Sequence, residues 1–534
     1  MYASEGGAKR NLYLKLNPML GSVLIIIGLV TFLSGCTNVD HTEETVDQSS
    51  SVVLKPMDGW SDAVIYFVML DRFADGDTTN NQKVERLNPG GYHGGDLKGL
   101  TQQIDEIASL GANVIWLTPI NKQIDFGLFA TDPSGKISDG FQHWGFHGYW
   151  IEDFYQIDSQ FGSEEDLTAL VEAAHQRNMK VLLDVVYNHT GYSAETFYDH
   201  HERKKWLRSK STECDLDVIT CQVGGLPDLK TEQPKVRDYL IEHSIALAKR
   251  TGIDGFRLDT FKHIDHPFWK EHRKRTQQEL GEDFFLLAEV WGGTYRELDK
   301  WFEKDETDSG FDFSFSGSCQ AFVNRRGRSI AFAKYLEKRH RIRDGYFMAH
   351  YLSSHDVNMA LADLNNDKDK FKLCVAMQMS SLGMPVIYYG EEVARKGQSW
   401  PYNRMDMPWG DTDIKPGAGI KRDESLREYY QALIKLRRQH PAMYAGTYTL
   451  LHAEGDQMVF MRNHEEKDDH VIVAVNRSDK DSVLSLELPD SVKNKSWSKF
   501  NLDTPNADQS NAFESDLKIK NMSVQFFIAK TKNS

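Results

Sequence analysis

Four short stretches of this 534-residue chain run apolar and then end on groups able to do chemistry. "LLDVVYNH" ends on Asn188 and His189, "GFRLDTFKH" carries Arg257, Asp259, Lys262 and His263, "LLAEVW" carries Glu289, and "YLSSHD" ends on His355 and Asp356. Alternate residues of a strand share a face, so Gly255, Arg257 and Asp259 point one way while Phe256 and Leu258 point the other. An arginine beside an aspartate favours the ionised carboxylate. The apolar neighbours of Glu289 (Ala288, Val290 and Trp291) favour its protonated form instead. One ionised and one protonated carboxyl group, a third acid nearby and no serine or cysteine nucleophile in the pattern suit cleavage of a glycosidic bond. On this reading Asp259 attacks the anomeric carbon, and Glu289 protonates the leaving oxygen and later activates water. Asp356 holds sugar hydroxyls and stabilises the oxocarbenium-like charge.

Such groups need strands that end side by side. From about residue 60, β-rich runs alternate with helical patterns. The runs are "VIYFVML", "ANVIWLTP", "KVLLDVV", "GIDGFRLD", "FFLLAEV", "FDFSFSG" from residue 311, "MAHYLSSHD" and "PVIYYG". Between them, "EEDLTALVEAAHQRN" and "PKVRDYLIEHSIALAKRTG" read as helices, the second opening on Pro and closing on Gly. Eight such units predict an α/β fold, a (β/α)8 barrel whose strand ends form the site. An open doubly wound sheet usually has fewer strands and a Gly-rich phosphate turn, which is not found. Residues 190–232 lack periodicity, which predicts a short insertion, domain B, after the third strand. The barrel is expected over 57–440. Beyond it, "TYTLLHAE", "QMVFMRN", "HVIVAVNRS" and "SVLSLEL" predict a C-terminal all-β sandwich domain over 441–534.

A net charge of −15 argues against nucleic acid as a partner, while 11 Trp, 21 Tyr and 28 Phe suit the binding of sugar faces. At the N-terminus, Lys9, Arg10 and Lys15 precede an apolar run that ends in "LSGC" at Cys36. This resembles a bacterial lipoprotein signal, which implies removal of residues 1–35, lipidation of Cys36 and a polar tether over 36–56. The enzyme body is then exported and lipid-anchored to the membrane at the cell envelope, with Thr37 pointing to the outer membrane if the host is Gram-negative. A transmembrane anchor of about 18 residues is the other reading of this run. Cys214 and Cys221 could close a small disulfide loop, and Cys319 and Cys374 suit buried thiols.

Together, "DVVYNH", "GFRLDTFKH", "AEVW" and "SSHD", with "GANVIWLTP", "LPDLK" and "GMPVIYYGEE", resemble the conserved regions of the alpha-amylase superfamily, glycoside hydrolase family 13. The resemblance implies the same three roles for Asp259, Glu289 and Asp356. It places His189, Arg257 and His355 on the sugar in the cleavage subsite, and Lys262 and His263 on the leaving side. Through "FHGYW" it makes Tyr149 a stacking platform and His147 a hydroxyl partner, and it puts Arg404 against a more distant glucose. It also implies one or two Ca2+ sites. Asn188, Asp228 and the backbone carbonyl of His263 match the first; Asp75, Asp77, Asn80, Asn81, Gly94 and Asp96 match the second, which resembles the N-terminal calcium loop of cyclodextrin glucanotransferases. Lys230 and Ser354 depart from the usual family residues at the cleft border. The expected activity is retaining endo-hydrolysis of α-1,4-glucosidic bonds in starch, glycogen or maltooligosaccharides. A maltodextrin or cyclodextrin hydrolase, or a transglycosylase, is the alternative on the same scaffold, and a non-catalytic sugar-binding protein the remote one.

Overall fold

The computed structural model describes residues 52–131, 137–502 and 516–530. The expected signal peptide, Cys36 and most of the tether lie outside the described residues.

Eight parallel strands close into a barrel, each paired with the next in chain order and the last with the first. They are β1 (Ile65–Val68), β2 (Val114–Leu117), β3 (Lys180–Val185), β4 (Gly255–Leu258), β5 (Phe285–Ala288), β6 (Ser309–Phe311), β7 (Phe347–Tyr351) and β8 (Met384–Tyr388). Every residue of β1, β2, β5 and β8 is buried, because one face fills the barrel and the other meets the helices. That double burial explains why these strands read as continuous apolar runs. The helix Glu164–His175 starts with a reciprocal capping box between Ser163 and Asp166 and buries Leu167, Leu170, Val171 and Ala174. Pro234–Thr251 carries Pro in its first turn and ends at Gly252, whose φ of 75° is left-handed.

The sixth strand differs from expectation. It covers Ser309–Phe311 and not the run beginning at 311, and a helix starts at Ser314. Asp312 explains the stop: its carboxylate accepts from Arg339 Nε (2.9 Å), Tyr335 Oη (2.6 Å) and the Ser314 N–H (3.1 Å). The alternating phenylalanines of "FDFSF" therefore belong to a strand end, a turn and a helix.

The segment after β3 contains single helical turns and the Cys214–Cys221 disulfide, is bridged internally at Leu207–Leu229, and returns to the end of β3 through the bridge His189–Asp228. A second insertion, after β2, was not foreseen. There Asn121–Gln123 pairs with Ile151–Ile157, and Leu128–Thr131 with Ile137–His143.

The C-terminal part has a five-stranded sheet with its neighbours in the order β9 (Thr447–Glu454), β10 (Gln457–His464), β11 (Asp469–Asn476), β15 (Ser523–Lys530) and β13 (Ser496–Phe500). A two-stranded sheet pairs β12 (Ser482–Ser485) with β14 (Asp516–Ile519). Met458, Phe460, Val471, Val473 and Phe526 join the main core, whereas Val459, Met461, Ile472, Leu517 and Ile519 form a second one. Alternate residues of one strand thus serve two cores. Arg462, fully buried, ties sheet to barrel by donating to the carbonyl of Ser380 (2.8 Å).

Candidate active site

Adjacent strands β3, β4 and β5 bring three of the acidic groups to one place. Asp184 on β3 is in register with Arg257 on β4, Asp259 follows β4, and Glu289 follows β5. Gly255 permits this close approach, since a Cβ there would lie 2.3 Å from the carbonyl oxygen of Phe285. Arg257 is the hub of the cluster. Its Nη1 lies 2.7 Å from Asp259 Oδ1 and 3.0 Å from Asp184 Oδ1, and its Nη2 lies 2.7 Å from Glu289 Oε1. Beyond Asp259 the chain turns through Thr260, whose φ of 48° is unusual for a β-branched residue. The turn lets its N–H donate to Glu289 Oε2 (2.9 Å) and its hydroxyl to Asp259 Oδ2 (3.1 Å).

The arginine does not divide the two carboxyl groups as expected from the sequence, because both touch it. Burial does more. It pushes Glu289 up to about 8; Arg257 opposes the shift while Asp259 and Asp356 add to it. Burial likewise raises Asp184 to about 7. Around Asp356, burial alone would raise the carboxyl group, but the fixed charges of Arg404 and Arg257 help bring it below the ordinary range. Asp184 was missed in the sequence, although a lone acid inside "KVLLDVV" was a signal. Trp116 Nε1 (3.1 Å) and Tyr149 Oη (2.8 Å) also donate to it.

Most of the expected sugar contacts converge here. Arg404 donates from Nε to the carbonyl of His355 (2.9 Å), and its Nη2 lies 3.3 Å from Asp356 Oδ1. The ring of Tyr149 lies parallel to those of His147 and His355, with centroids 5.7 and 5.3 Å away. Burial lowers the pKa of His147, His189 and His355, the last to about 3, so all three act as neutral hydrogen-bonding groups. Nδ1 of His189 and of His355 is buried without a partner among the described residues, as groups awaiting a hydroxyl would be. Phe313 and Tyr351 complete the cleft wall beside Glu289 and Asp356. Lys262 donates to the carbonyl of Trp291 (3.0 Å). His263 departs from expectation: its Nδ1 faces the carbonyl of Val218 (2.8 Å) in the insertion, which takes that nitrogen out of sugar binding.

The two expected calcium sites fare differently. Asp75 Oδ1, Asn80 Oδ1 and Asn81 Oδ1 are buried oxygens without a partner among the described residues, which fits a hard cation; Arg86 Nη2 also reaches Asp75 Oδ2 (2.6 Å), but its side chain is 36% exposed, against 13% for Arg208 at the other site. Gly94, at φ 97°, leaves room there, because a Cβ would lie 2.6 Å from Asn81 Oδ1. Asp96 does not fit as a ligand: its two oxygens accept the backbone N–H groups of Gly76, Asp77 and Gly99, the last as a helix cap. Asp77 Oδ1 is likewise taken by Thr79. At Asn188, Asp228 and the His263 carbonyl, Arg208 Nε stands 2.5 Å from Asp228 Oδ2, and its guanidinium would repel a divalent ion. That site does not fit calcium.

A closed barrel whose strand ends gather paired carboxyl groups among aromatic rings and neutral histidines is that of a glycoside hydrolase. The chain belongs to the alpha-amylase family, whose catalytic domain matches residues 67–215 and 218–413. It is 32% identical over 449 residues to a cyclomaltodextrinase of Bacillus sp, covering 79% of this chain and 74% of that one. With neopullulanase 2 of Thermoactinomyces vulgaris the identity is 30% over 463 residues, covering 82% and 72%. The solved alpha-amylase of Geobacillus thermoleovorans, complexed with acarbose, superposes with a TM-score of 0.74 at 30% identity, covering 89% of this chain and all of that one.

Proposed function

We propose that this enzyme hydrolyses α-1,4-glucosidic bonds of maltodextrins and cyclodextrins with retention of the anomeric configuration. One observation carries the mechanism: a single guanidinium, Arg257, touches both Asp259 and Glu289. Retaining enzymes hold their two carboxyl groups closer together than inverting ones, which leave room for a water, and a shared guanidinium supports the closer arrangement. The Asp259 carboxylate attacks the anomeric carbon as Glu289, kept protonated by burial, gives its proton to the departing oxygen. Glu289 then takes a proton from water, which attacks the same carbon and releases Asp259. Asp356, His189 and His355 hold the sugar, and Tyr149 supports its ring.

The preference for small and cyclic glucans draws on the cyclomaltodextrinase and neopullulanase relatives, and it displaces the endo-acting reading of the sequence. Internal cleavage of starch stays as the second reading because of the likeness to the Geobacillus alpha-amylase. Rates on β-cyclodextrin, maltoheptaose and soluble starch separate the two. Faster hydrolysis of the cyclic and short substrates is expected; faster attack on starch with long early products would reverse the order. Proton NMR of the first product should show the α-anomer, and an initial β-anomer would exclude the covalent route.

The same proposal includes one calcium ion held by Asp75, Asn80 and Asn81, where it would neutralise clustered oxygens and pin the loop. It also includes export and lipid anchoring through Cys36, supported by the basic and apolar stretch before it. Fractionation of cells making the chain or its Cys36→Ser variant tests the anchor, and a variant that still sediments with membranes would refute it.

A further inference from the structure

We infer that Arg208 supplies, from within the chain, the positive charge that a calcium ion would bring between the insertion and the barrel, and that it is a positioning residue for His189. Asp228 is fully buried, and its Oδ2 is 2.5 Å from Arg208 Nε. The far side of the guanidinium grips Glu232 through Nη2 (2.6 Å) and Nη1 (3.3 Å). The Arg208 backbone N–H also donates to the Asp228 carbonyl (2.9 Å), so this residue holds Asp228 by side chain and main chain together. A planar fork between two carboxylates is the arrangement for which arginine is suited and lysine is not.

What Asp228 holds in turn is the end of β3. Asp228 bridges to His189 through the backbone, Leu229 N–H donates to Asn188 O (2.8 Å), and Thr190 N–H donates to Pro227 O (3.0 Å). His189 Nε2 lies 3.3 Å from the carbonyl of Tyr149, and its Nδ1 is left without a partner among the described residues. The chain of contacts thus runs from Arg208 through Asp228 to a histidine of the cleft. A buried carboxylate is stabilised by a paired cation, and here the cation is covalently part of the insertion. Asp228 Oδ1 is itself buried without a partner among the described residues, so removing the guanidinium would leave both carboxyl oxygens of Asp228 open to a cation. The chain then has two exchangeable ways to close this junction, and Arg208 selects the metal-free one.

The test uses the full chain in an Asp75→Ala background, which silences the other loop, and reads Tm together with kcat and KM on maltoheptaose in calcium and in EDTA. With Arg208 present, Tm should be the same in both. Adding Arg208→Ala should lower Tm and reduce kcat by about tenfold, as expected when a contact group is misplaced. Millimolar calcium should restore both. Arg208→Lys, which keeps the charge without the fork, should lose less and stay insensitive to calcium. The inference is overturned if the Asp75→Ala chain is stabilised by calcium and Asp228→Asn abolishes that response, or if calcium restores nothing to Arg208→Ala. None of these readings depends on which glucan is preferred, since Tm and metal response are measured apart from the product profile.

Discussion

Arg257 Nη2 stands 2.7 Å from Glu289 Oε1, so the proposed proton donor of this site touches a fixed cation. A carboxyl group in that contact is expected to ionise easily, yet burial outweighs the arginine and holds Glu289 near 8. The balance matters because a general acid must still carry its proton at the working pH. Activity is therefore expected to fall as pH rises through about 8, where Glu289 loses that proton. The pH profile of kcat/KM on maltoheptaose checks this. With an aryl maltoside whose leaving group needs no protonation, the alkaline fall in the bond-breaking step should disappear. An unchanged alkaline limb would assign it to another group.

The same shift has a consequence for stability. Glu289 is raised in the folded chain from an ordinary value of 4.5 to about 8, so the native state binds more protons than the unfolded one between those values. Its contribution is favourable relative to a charged buried group only while the proton stays on, and stability drains away as pH climbs from about 4.5 towards 8. At pH 7 the cost is on the order of 3 kcal/mol, from about 1.4 kcal/mol per unit. Glu289→Gln keeps the shape without the ionisation. It should melt higher than the parent at pH 7, and the gap should close at pH 4. Equal gaps at both pH values would show that packing, not charge, sets the difference.

Much of this site was legible because barrel strands are buried on both faces, so a polar group in one stands out. Asp259, Glu289 and Asp356 stood out because each follows such an apolar strand, and β1, β2 and β5 read as apolar runs for the same reason. Asp184 escaped because one acid within an apolar strand has no partner in its own segment; its partners, Trp116, Tyr149 and Arg257, come from three other places in the chain. Arg208 was hidden similarly, since nothing local joins it to Asp228 twenty residues on. The hairpins after β2 are short and their registers shift, which erases the alternation that marks a strand. His263 commits its Nδ1 to a carbonyl of the insertion 2.8 Å away, which its own segment does not reveal.

The calcium loop can be separated from the rest of the molecule. Asp75, Asn80 and Asn81 each leave a buried oxygen without a partner among the described residues, and the countercharge there is the part-exposed Arg86 guanidinium on Asp75 Oδ2 (2.6 Å), which a calcium ion would outdo in charge. Calcium at about a hundred times its Kd adds about 2.7 kcal/mol to stability. Thermal unfolding in calcium and in EDTA should differ accordingly for the parent chain. Asn81→Ala should erase most of that difference, whereas Asp96→Asn should lower Tm in both solutions, because Asp96 serves backbone N–H groups. Elemental analysis of the parent should find one calcium per chain, and a chain free of metal with no response to EDTA would refute the site.

Tyr149 does two things that substitution can pull apart. Its hydroxyl donates to Asp184 at 2.8 Å, and its ring, the proposed support for a sugar face, lies parallel to His355 at 5.3 Å. Asp184 keeps Trp116 and Arg257 when the hydroxyl is removed, so Tyr149→Phe leaves that buried acid with two of its three donors. One lost hydrogen bond costs about 1 kcal/mol, which predicts a fall of about fivefold in kcat/KM on maltoheptaose. Tyr149→Ala removes the ring as well and should fall at least tenfold further, about 1.4 kcal/mol more. The reverse ranking, or equal losses, would mean that the hydroxyl and its hold on Asp184, rather than the ring, is what the substrate depends on.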